Sequence, residues 1–211
     1  MTTKEGLIKS WISSGTIKDR KVIEAFRKIP REEFIEESRR EESYGDYPLP
    51  IGEGQTISQP TTVAIMTQAL ELEEGHKVLE VGSGSGYQAA IITEIIGTKG
   101  KIISTEIVPE LAELAKNNIK KLALKNIEIL NYDGSKGYAK EAPYDRILVA
   151  AASPKIPKPL IDQLKENGVI IIPVGNMLEQ AMIKGRKTNG KLSEEILGDF
   201  VFVPLKGKYG Y

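Results

Sequence analysis

Residues 78–86 read VLEVGSGSG, and this stretch decides the fold. A short apolar run with one carboxylate, Glu80, leads directly into three alternating glycines, and a helical pattern follows. Glycine suits such a strand-to-helix turn because a side chain would block both the sharp turn and the approach of a ligand to the backbone. The stretch predicts a βαβ unit with a ligand at its first turn, although a plain strand-to-helix turn remains an alternative.

Downstream of this stretch, short apolar runs alternate with helical periods, which is typical of a mainly parallel sheet with helices on both faces. The predicted strands are 77–81, 101–105, 127–131, 146–150 and 169–174. The predicted helices lie near 87–96, 109–122 and 157–166. At the end, segments 180–186 and 192–203 flank Asn189-Gly190, a strong turn signal, so we expect an antiparallel hairpin to close the sheet.

Upstream, apolar residues with helical spacing predict two short amphipathic helices, over residues 7–12 and 22–29. Residues 44–55 are crowded with Gly and Pro and are expected to form an ordered loop. A further helix is predicted from Pro60 to about Glu71, with Ser58 as a possible cap. We divide the single expected domain, 1–211, into N-terminal helices and a loop (1–75), a βαβ core (76–175), and a C-terminal hairpin and tail (176–211).

Composition narrows the class of protein. The 211 residues suit one domain, and Lys plus Arg and Asp plus Glu balance at 29 each. Because no strong positive field results, nucleic acid is not the expected partner. Cysteine is absent, which excludes thiolate metal sites, and no apolar stretch reaches the roughly 20 residues that cross a bilayer. We expect a cytoplasmic protein that neither contacts a membrane nor holds a metal.

Acidic residues follow the next two predicted strands, at the same edge of the sheet. Glu106 lies 20 positions beyond Gly86, where a carboxylate can accept hydrogen bonds from both hydroxyls of a ribose. Asp133 and Gly134 follow the third strand. Simpler alternatives exist, since Glu80 could be a solvated carboxylate and Asp133 a turn former. The occurrence of all of them in this order nevertheless predicts a bound nucleoside.

The spacing of the glycines distinguishes between nucleotide cofactors. A dinucleotide fingerprint reads G-x-G-x-x-G with a small final residue, whereas here Gly82, Gly84 and Gly86 alternate and the bulky Tyr87 follows. S-adenosylmethionine has no pyrophosphate and tolerates this arrangement, and Glu80 can hold its methionine ammonium directly or through water. We therefore favour S-adenosylmethionine over NAD and predict an α/β, Rossmann-like, class I S-adenosylmethionine-dependent methyltransferase.

Longer segments carry a more specific resemblance. They are YPLPIGEGQTIS (47–58), VLEVGSGSGY (78–87), YDGSKGY (132–138), YDRILVAAASP (144–154), LIDQLKENGVIIIPVG (160–175) and FVPLKGKYG (202–210). In this order they resemble the protein-L-isoaspartate O-methyltransferases, which methylate the abnormal α-carboxyl of L-isoaspartyl residues in damaged proteins and peptides. The GEGQTIS and AAASP segments are more specific than the glycine loop, which methyltransferases of this class share.

The resemblance implies that Ser58 is the active-site serine beside the acceptor carboxylate. With the residue pattern, it predicts these cofactor contacts: Gln55, Thr56, Ile57, Glu80, Gly82, Ser83, Gly84, Gly86, Glu106, Ile107, Asp133 and Gly134. A cleft between residues 47–58 and 151–154 could hold an extended isoaspartyl peptide, so acceptor contacts are expected from Ser58, Ala151, Ala152 and Ser153. The chain departs from the family, which usually continues S-A-P-H-M, because Gln59, Pro60, Thr61 and Thr62 follow the serine.

The implied reaction needs no general base. A carboxylate acceptor, with a reference pKa near 4, is ionised at neutral pH, so catalysis can rest on positioning. Ser58 would donate a hydrogen bond to the carboxylate without becoming a covalent nucleophile, or would only cap the following helix. The lone histidine, His76, is expected at the opposite rim. Two alternatives stay open: a methyltransferase of this fold acting on a small molecule or RNA, and an inactive cofactor-binding scaffold. The sequence does not predict the oligomeric state.

Overall fold

The computed structural model describes residues 2–211, and its N-terminal part is helical as the sequence predicts. Helices α1 (Lys4–Ser14) and α2 (Arg20–Lys28) bury their apolar faces, and the rings of Trp11 and Phe26 meet edge to face at 5.0 Å. Two 3₁₀ turns follow, at Arg31–Phe34 and Glu37–Glu42. This helical layer packs on the core domain through Tyr87, whose ring lies 6.0 Å from that of Phe26.

The segment expected to be a loop contains a small antiparallel hairpin instead. Strands β1 (Leu49–Gly52) and β2 (Gln55–Ile57) pair across a turn in which Glu53 and Gly54 have φ values of 52° and 68°. Of the glycines and prolines that suggested a loop, Gly45 and Pro48 precede β1, Pro50 and Gly52 lie in β1, and Gly54 lies in the turn. Helix α3 (Pro60–Ala69) begins at Pro60 as predicted and ends two residues before Glu71.

The core is a seven-stranded sheet within residues 2–211, in the order β5-β4-β3-β6-β7-β8-β9. Its strands are β3 (Lys77–Val81), β4 (Lys101–Glu106), β5 (Ile127–Asn131), β6 (Tyr144–Val149), β7 (Leu164–Gly175), β8 (Gln180–Thr188) and β9 (Lys191–Phe200). The strands from β3 to β7 run parallel, and β8 and β9 complete the sheet in antiparallel pairing. The predicted α/β architecture with a C-terminal hairpin is therefore present.

Helices cover both faces of this sheet. They are α3, described above, α4 (Tyr87–Ile96), α5 (Pro109–Lys121) and α6 (Lys158–Gln163). Helices α3 and α4 pack on the face that carries Val78, and α6 and the C-terminal tail pack on the face that carries Val81. Because side chains alternate along a strand, neighbouring residues of β3 face opposite layers.

The boundary between the last helix and β7 differs from the sequence prediction. Helix α6 ends at Gln163 rather than near residue 166, because Leu164 already pairs with Tyr144 and begins β7. The hairpin turn is as expected, since Asn189 and Gly190 have φ values of 53° and 73°, the two positive angles of a type I′ turn. Among the described residues, no helix combines the length and the apolar character that a membrane crossing requires.

Candidate active site

A cavity opens at the carboxyl ends of β3 and β4, the edge at which parallel α/β sheets bind ligands. Its volume, counted out to the open mouth and including the solvent there, is about 880 Å³. The residues predicted for the site that line it are Gln55, Thr56, Ile57, Ser58, Gly82, Ser83, Gly84, Glu106, Ile107, Gly134 and Ala151.

The glycine loop after β3 forms the floor of the cavity. Gly82, Gly84 and Gly86 have φ values of 96°, 51° and 86°, a region of backbone space that L side chains rarely adopt. The loop is fixed by hydrogen bonds from the N–H groups of Gly82 and Ser83 to the carbonyl of Thr105, at 2.8 and 3.0 Å. Gly86 does not line the cavity; it begins α4 close to the backbone of Ala115.

Glu106, at the end of β4, joins two backbone segments through its carboxylate. Gly84 N–H donates to Oε2 and Val108 N–H donates to Oε1, each at 3.0 Å. A carboxylate offers about four lone-pair positions, so two stay available for further donors. The arrangement suits a ligand with two adjacent hydroxyls, such as a ribose.

Ser58 lies between β2 and α3 and lines the cavity. It does not cap the helix, because the N-cap position belongs to Gln59. The first turn of α3 is instead capped from a distance by Asp46, whose carboxylate accepts from Thr61 N–H at 3.0 Å and from Thr61 Oγ1 at 2.7 Å. The Ser58 hydroxyl is therefore not required by the helix, and the capping alternative is wrong.

The C-terminal tail pairs with the backbone of Ala152, one of the residues at which the sequence analysis expected an extended peptide. Ala152 N–H donates to the carbonyl of Val203 at 2.8 Å, and Leu205 N–H donates to the carbonyl of Ala152 at 2.7 Å. Ser153 is buried, and its hydroxyl donates to the carbonyl of Lys155 at 2.7 Å. Of the three predicted acceptor residues in this segment, only Ala151 reaches the cavity wall; Ala152 and Ser153 do not.

Asp133 also holds the tail rather than lining the cavity. Its carboxylate accepts from Ser135 Oγ at 2.6 Å and from Lys208 N–H at 3.0 Å, and it pairs with Lys136 at 3.1 Å. Partial burial acts to raise the pKa of Asp133, but the hydrogen bonds from Ser135 and Lys208 outweigh it and hold this pKa below its usual value. Gly134, the neighbouring predicted contact, does line the cavity, and a contact between Asp133 and the cofactor stays a prediction.

Glu80 lies beneath the cavity floor, fully buried and away from the wall. Its Oε2 accepts a hydrogen bond from Ser104, whose hydroxyl oxygen lies 2.5 Å from that of Ser83 in the glycine loop. Burial raises the pKa of Glu80 to about 8, so its carboxyl is mainly protonated at neutral pH. Glu80 thus lies under the loop and does not line the cavity, and its contact with the methionine ammonium, directly or through water, stays a prediction.

Comparison with known proteins decides the family. The sequence model described as protein-L-isoaspartate(D-aspartate) O-methyltransferase matches residues 2–210. The chain belongs to this family. A relative from Archaeoglobus fulgidus, named protein-L-isoaspartate O-methyltransferase 2, is 54% identical over 192 residues, which are 91% of this chain and 88% of the relative.

Solved structures agree with the family. A protein-L-isoaspartate O-methyltransferase superposes with a TM-score of 0.90 at 30% identity, over 99% of this chain and 67% of that one. A candidate member from Plasmodium falciparum, crystallised in complex with S-adenosyl-L-homocysteine, superposes with a TM-score of 0.84 at 28% identity, over 98% of this chain and 99% of that one. The predicted methyltransferase fold is confirmed.

The family decides the reaction as well. The enzyme transfers a methyl group from S-adenosylmethionine to the free α-carboxyl of L-isoaspartyl residues in damaged proteins and peptides, which initiates their repair. The predicted cofactor is confirmed, and the alternative of a small-molecule or RNA methyltransferase is set aside. Among residues 2–211, no group of three or more His, Asp or Glu side chains is placed to hold a metal ion.

Several wall residues were missed by the sequence analysis. They are Val63, Met66, Val81, Ser85, Tyr87, Gln88, Thr105, Val108, Leu111, Tyr132, Ala150, Val203, Pro204, Leu205 and Lys206. Ile107 and Tyr132 are 37% and 38% exposed beside the opening. Two of these sets could have been predicted from the sequence. Tyr132 is adjacent to Asp133, and residues Val203–Lys206 belong to the FVPLKGKYG segment that carries the family resemblance.

The buried Glu80 predicts a measurable pH dependence of stability. Its pKa in the folded enzyme, about 8, lies above the unfolded value of about 4.3. The stability that this carboxyl contributes is therefore complete below about pH 4 and is lost as the pH rises through about 8. Glu80→Gln, which does not titrate, should lose less stability than the wild type between about pH 6 and about pH 9. Urea unfolding of both proteins across this pH range measures the free energy of unfolding. If the two proteins showed the same dependence on pH, Glu80 would already be ionised in the folded enzyme.

Proposed function

We propose that this enzyme holds S-adenosylmethionine across the tips of β3 and β4, with Glu106 on the ribose and the reacting end toward Ser58. The observation that carries the proposal is the continuity of the cavity, because Glu106, Ser58 and the glycine loop line the same space. The wall thus offers an anchor for the nucleoside and a hydroxyl for the acceptor within one compartment.

The residues on the nucleoside side fit this cofactor. Gly82 and Gly84 carry no side chains that would obstruct a close approach, and Glu106 keeps two lone-pair positions for hydroxyls. Apolar and aromatic groups suited to a purine ring follow around the opening: Ile107, Val108, Leu111 and Tyr132. When bound, S-adenosylmethionine supplies an electrophilic methyl group on its sulfonium sulfur.

On the acceptor side, Ser58 donates a hydrogen bond that orients the carboxylate. Its hydroxyl has no hydrogen-bond acceptor within residues 2–211, and Asp46 performs the capping that would otherwise compete for it. The hydroxyl is therefore free to donate to a ligand, which supports an acceptor carboxylate at this position.

No residue has to remove a proton in this arrangement. The acceptor carboxylate is ionised at neutral pH, and the only acidic side chain in the wall, Glu106, is engaged by backbone N–H groups. Catalysis then rests on holding the acceptor oxygen in line with the methyl group, an effect worth up to about 7–11 kcal/mol in favourable cases. The role of the protein is therefore to position the acceptor oxygen against the methyl group and to exclude water from the cavity.

Replacement of the serine tests the proposal. Ser58→Ala should lower kcat for an isoaspartyl peptide about 10- to 100-fold, since a hydrogen bond to a charged group contributes about 1.5–3 kcal/mol. The affinity for S-adenosylhomocysteine should stay unchanged, because Glu106 and the glycine loop are intact. Initial rates with radiolabelled S-adenosylmethionine and paired isoaspartyl and aspartyl peptides check the first point, and calorimetry checks the second. Label on neither peptide with the wild type would indicate an inactive scaffold.

Asp46→Ala provides the matched control. It removes the cap of α3 and should lower stability by about 0.5–2 kcal/mol, whereas Ser58→Ala should leave the melting temperature unchanged. The opposite pattern, with a destabilised Ser58→Ala variant of normal turnover, would reduce Ser58 to a structural residue.

Three further assignments belong to the proposal. An isoaspartyl segment, rather than nucleic acid, is the macromolecular partner, which the even balance of 29 basic and 29 acidic residues supports. Division of the chain at residues 75/76 and 175/176 follows the start of β3 and the end of β7. The cytoplasmic location expected from the sequence stays a prediction, which fractionation of cells would test.

A further inference from the structure

Charged side chains are scarce in the cavity wall. Among the residues that line it, only Glu106 and Lys206 carry a charge at neutral pH. Glu106 belongs to the nucleoside side, where Gly84 and Val108 donate to its carboxylate. Lys206 is consequently the one cation that a ligand in this cavity can meet, within the part of the chain that the structure describes.

The ammonium of Lys206 has no partner in the fold. Within residues 2–211 it takes part in no ion pair, whereas Lys136, at the same rim, pairs with Asp133 at 3.1 Å. The next lysine of the tail, Lys208, lies with its ammonium 5.5 Å from the ring centre of Tyr209 and does not line the cavity. The charge of Lys206 is thus available to a ligand at no cost in broken contacts.

The backbone around Lys206 is held in place. Leu205 is buried, donates its N–H to the carbonyl of Ala152 at 2.7 Å and accepts from Tyr211 N–H at 3.0 Å. The tail therefore fixes the Cα position of Lys206, while its side chain is exposed at the cavity wall. Such a side chain can follow a charged group as it enters.

We propose that Lys206 binds the free α-carboxylate of the isoaspartyl residue and sets the affinity of the enzyme for its acceptor. The inference rests on the proposed placement of the nucleoside at Glu106 and the acceptor at Ser58. Without Lys206, an anionic acceptor would enter a wall whose other charged side chain, Glu106, repels it. With Lys206, the field at the opening attracts the acceptor and the charges in the loaded cavity balance.

The course of the reaction determines which kinetic constant depends on Lys206. In the transfer, a carboxylate oxygen forms a bond to the methyl carbon, the carbon–sulfur bond breaks, and its electron pair stays on sulfur. The carboxylate loses its negative charge as the ester forms, so its attraction to Lys206 is strongest before transfer and declines towards the product. An interaction that favours the bound substrate in this way lowers KM without raising kcat. Ser58 orients the acceptor, and Lys206 attracts it.

Variants of the two tail lysines test the inference in the full-length enzyme. With saturating S-adenosylmethionine, Lys206→Gln should raise KM for an isoaspartyl peptide about 5- to 20-fold and leave kcat within about twofold, while Lys206→Glu should raise KM further. Lys208→Gln, the matched control, should keep both constants within about twofold. Added salt should raise KM of the wild type and have little effect on Lys206→Gln.

A competing peptide shows that the carboxylate is the group recognised. An isoasparaginyl peptide, with an α-carboxamide in place of the α-carboxylate, should inhibit the wild type weakly compared with the KM of the isoaspartyl peptide. In Lys206→Gln this difference should shrink. An unchanged ratio of the two constants in the variant would overturn the inference, because Lys206 would then not distinguish a charged from a neutral acceptor.

A different ligand for Lys206 gives a different result. If its ammonium instead binds the carboxylate of the methionine moiety, Lys206→Gln weakens S-adenosylhomocysteine binding in calorimetry and leaves the peptide KM unchanged, which contradicts the inference. Failure of the Lys206 inference can also be distinguished from failure of the proposed acceptor site at Ser58. Reduced turnover in Ser58→Ala with unaltered KM in both Lys206 variants refutes the role of Lys206 alone, whereas normal turnover in Ser58→Ala refutes the acceptor site itself.

Discussion

A Gly84→Val variant should lose at least about 100-fold in affinity for S-adenosylhomocysteine. Gly84 lies in the cavity floor with a φ of 51°, and a Cβ atom there would stand 3.3 Å from Cδ1 of Ile51, a buried residue of β1. Valine is branched at Cβ and strongly disfavours a positive φ, so the loop must change its path. The hydrogen bond from Gly84 N–H to Glu106 would then break, and both the loop under the cofactor and the position of the Glu106 carboxylate would change. Isothermal titration calorimetry measures the effect.

Gly190→Val is the matched control, because it introduces a similar backbone strain at a turn outside the cofactor cavity. Gly190 has a φ of 73° in the β8–β9 turn, and its added Cβ would meet no heavy atom within 4 Å. The same left-handed strain should therefore lower the melting temperature and leave ligand affinity near that of the wild type. Near-normal affinity in Gly84→Val would refute the proposed position of the ligand over the loop.

The second large effect is expected for Glu106→Gln, which should weaken S-adenosylhomocysteine binding about 100-fold. An amide nitrogen cannot accept a hydrogen bond, so at least one hydroxyl of the ribose, or one of the N–H groups of Gly84 and Val108, loses its acceptor. A hydrogen bond to a charged group contributes about 1.5–3 kcal/mol, and each 1.4 kcal/mol is a tenfold change in affinity. Calorimetry at constant ionic strength provides the measurement.

Glu80→Gln is the matched control, because Glu80 stands on the neighbouring strand and is buried below the wall. Its side chain is already protonated at neutral pH, so the amide should leave ligand affinity within about threefold. If both glutamine variants lost affinity equally, Glu80 would be a direct or water-mediated ligand, as its place before the glycines first suggested.

The core of the fold follows from local sequence patterns. The run into Gly82–Gly86 gives both a strand and the start of a helix, and Asn189-Gly190 gives the hairpin, because in each case the required backbone angles restrict the residue types. The β1–β2 hairpin was not recognised because its sequence shows no comparably distinctive pattern. Its strands have four and three residues, too short for an apolar alternation to stand out from the surrounding Gly and Pro.

Contacts distant in sequence account for two differences between the expected and the observed hydrogen-bond partners. Ser58 looked like a cap because it precedes Pro60 closely, but the capping group is Asp46, which lies 15 positions before Thr61. Asp133 was expected at the cofactor, yet the tail residue Lys208, 75 positions away, engages its carboxylate. No local pattern specifies either partner. Both depend on which surfaces meet after the sheet has formed.

Glu80 illustrates a different limit. Its place directly before the glycine loop is correct, but alternate residues of β3 face opposite sides of the sheet. The cavity is lined by Val81, and Glu80 faces the layer of α3 and α4 with Val78. The sequence thus predicts which loop forms the floor without telling which neighbouring side chain reaches it. The burial that raises the pKa of Glu80 is likewise visible only in three dimensions.

Crystallisation of the enzyme with S-adenosylhomocysteine tests the central claim most directly. The account predicts the ribose hydroxyls within hydrogen-bond distance of the Glu106 carboxylate, the adenine beside Ile107 and Tyr132, and the sulfur directed towards Ser58. A ligand bound elsewhere, or one in this cavity with its sulfur pointing away from Ser58, would contradict it.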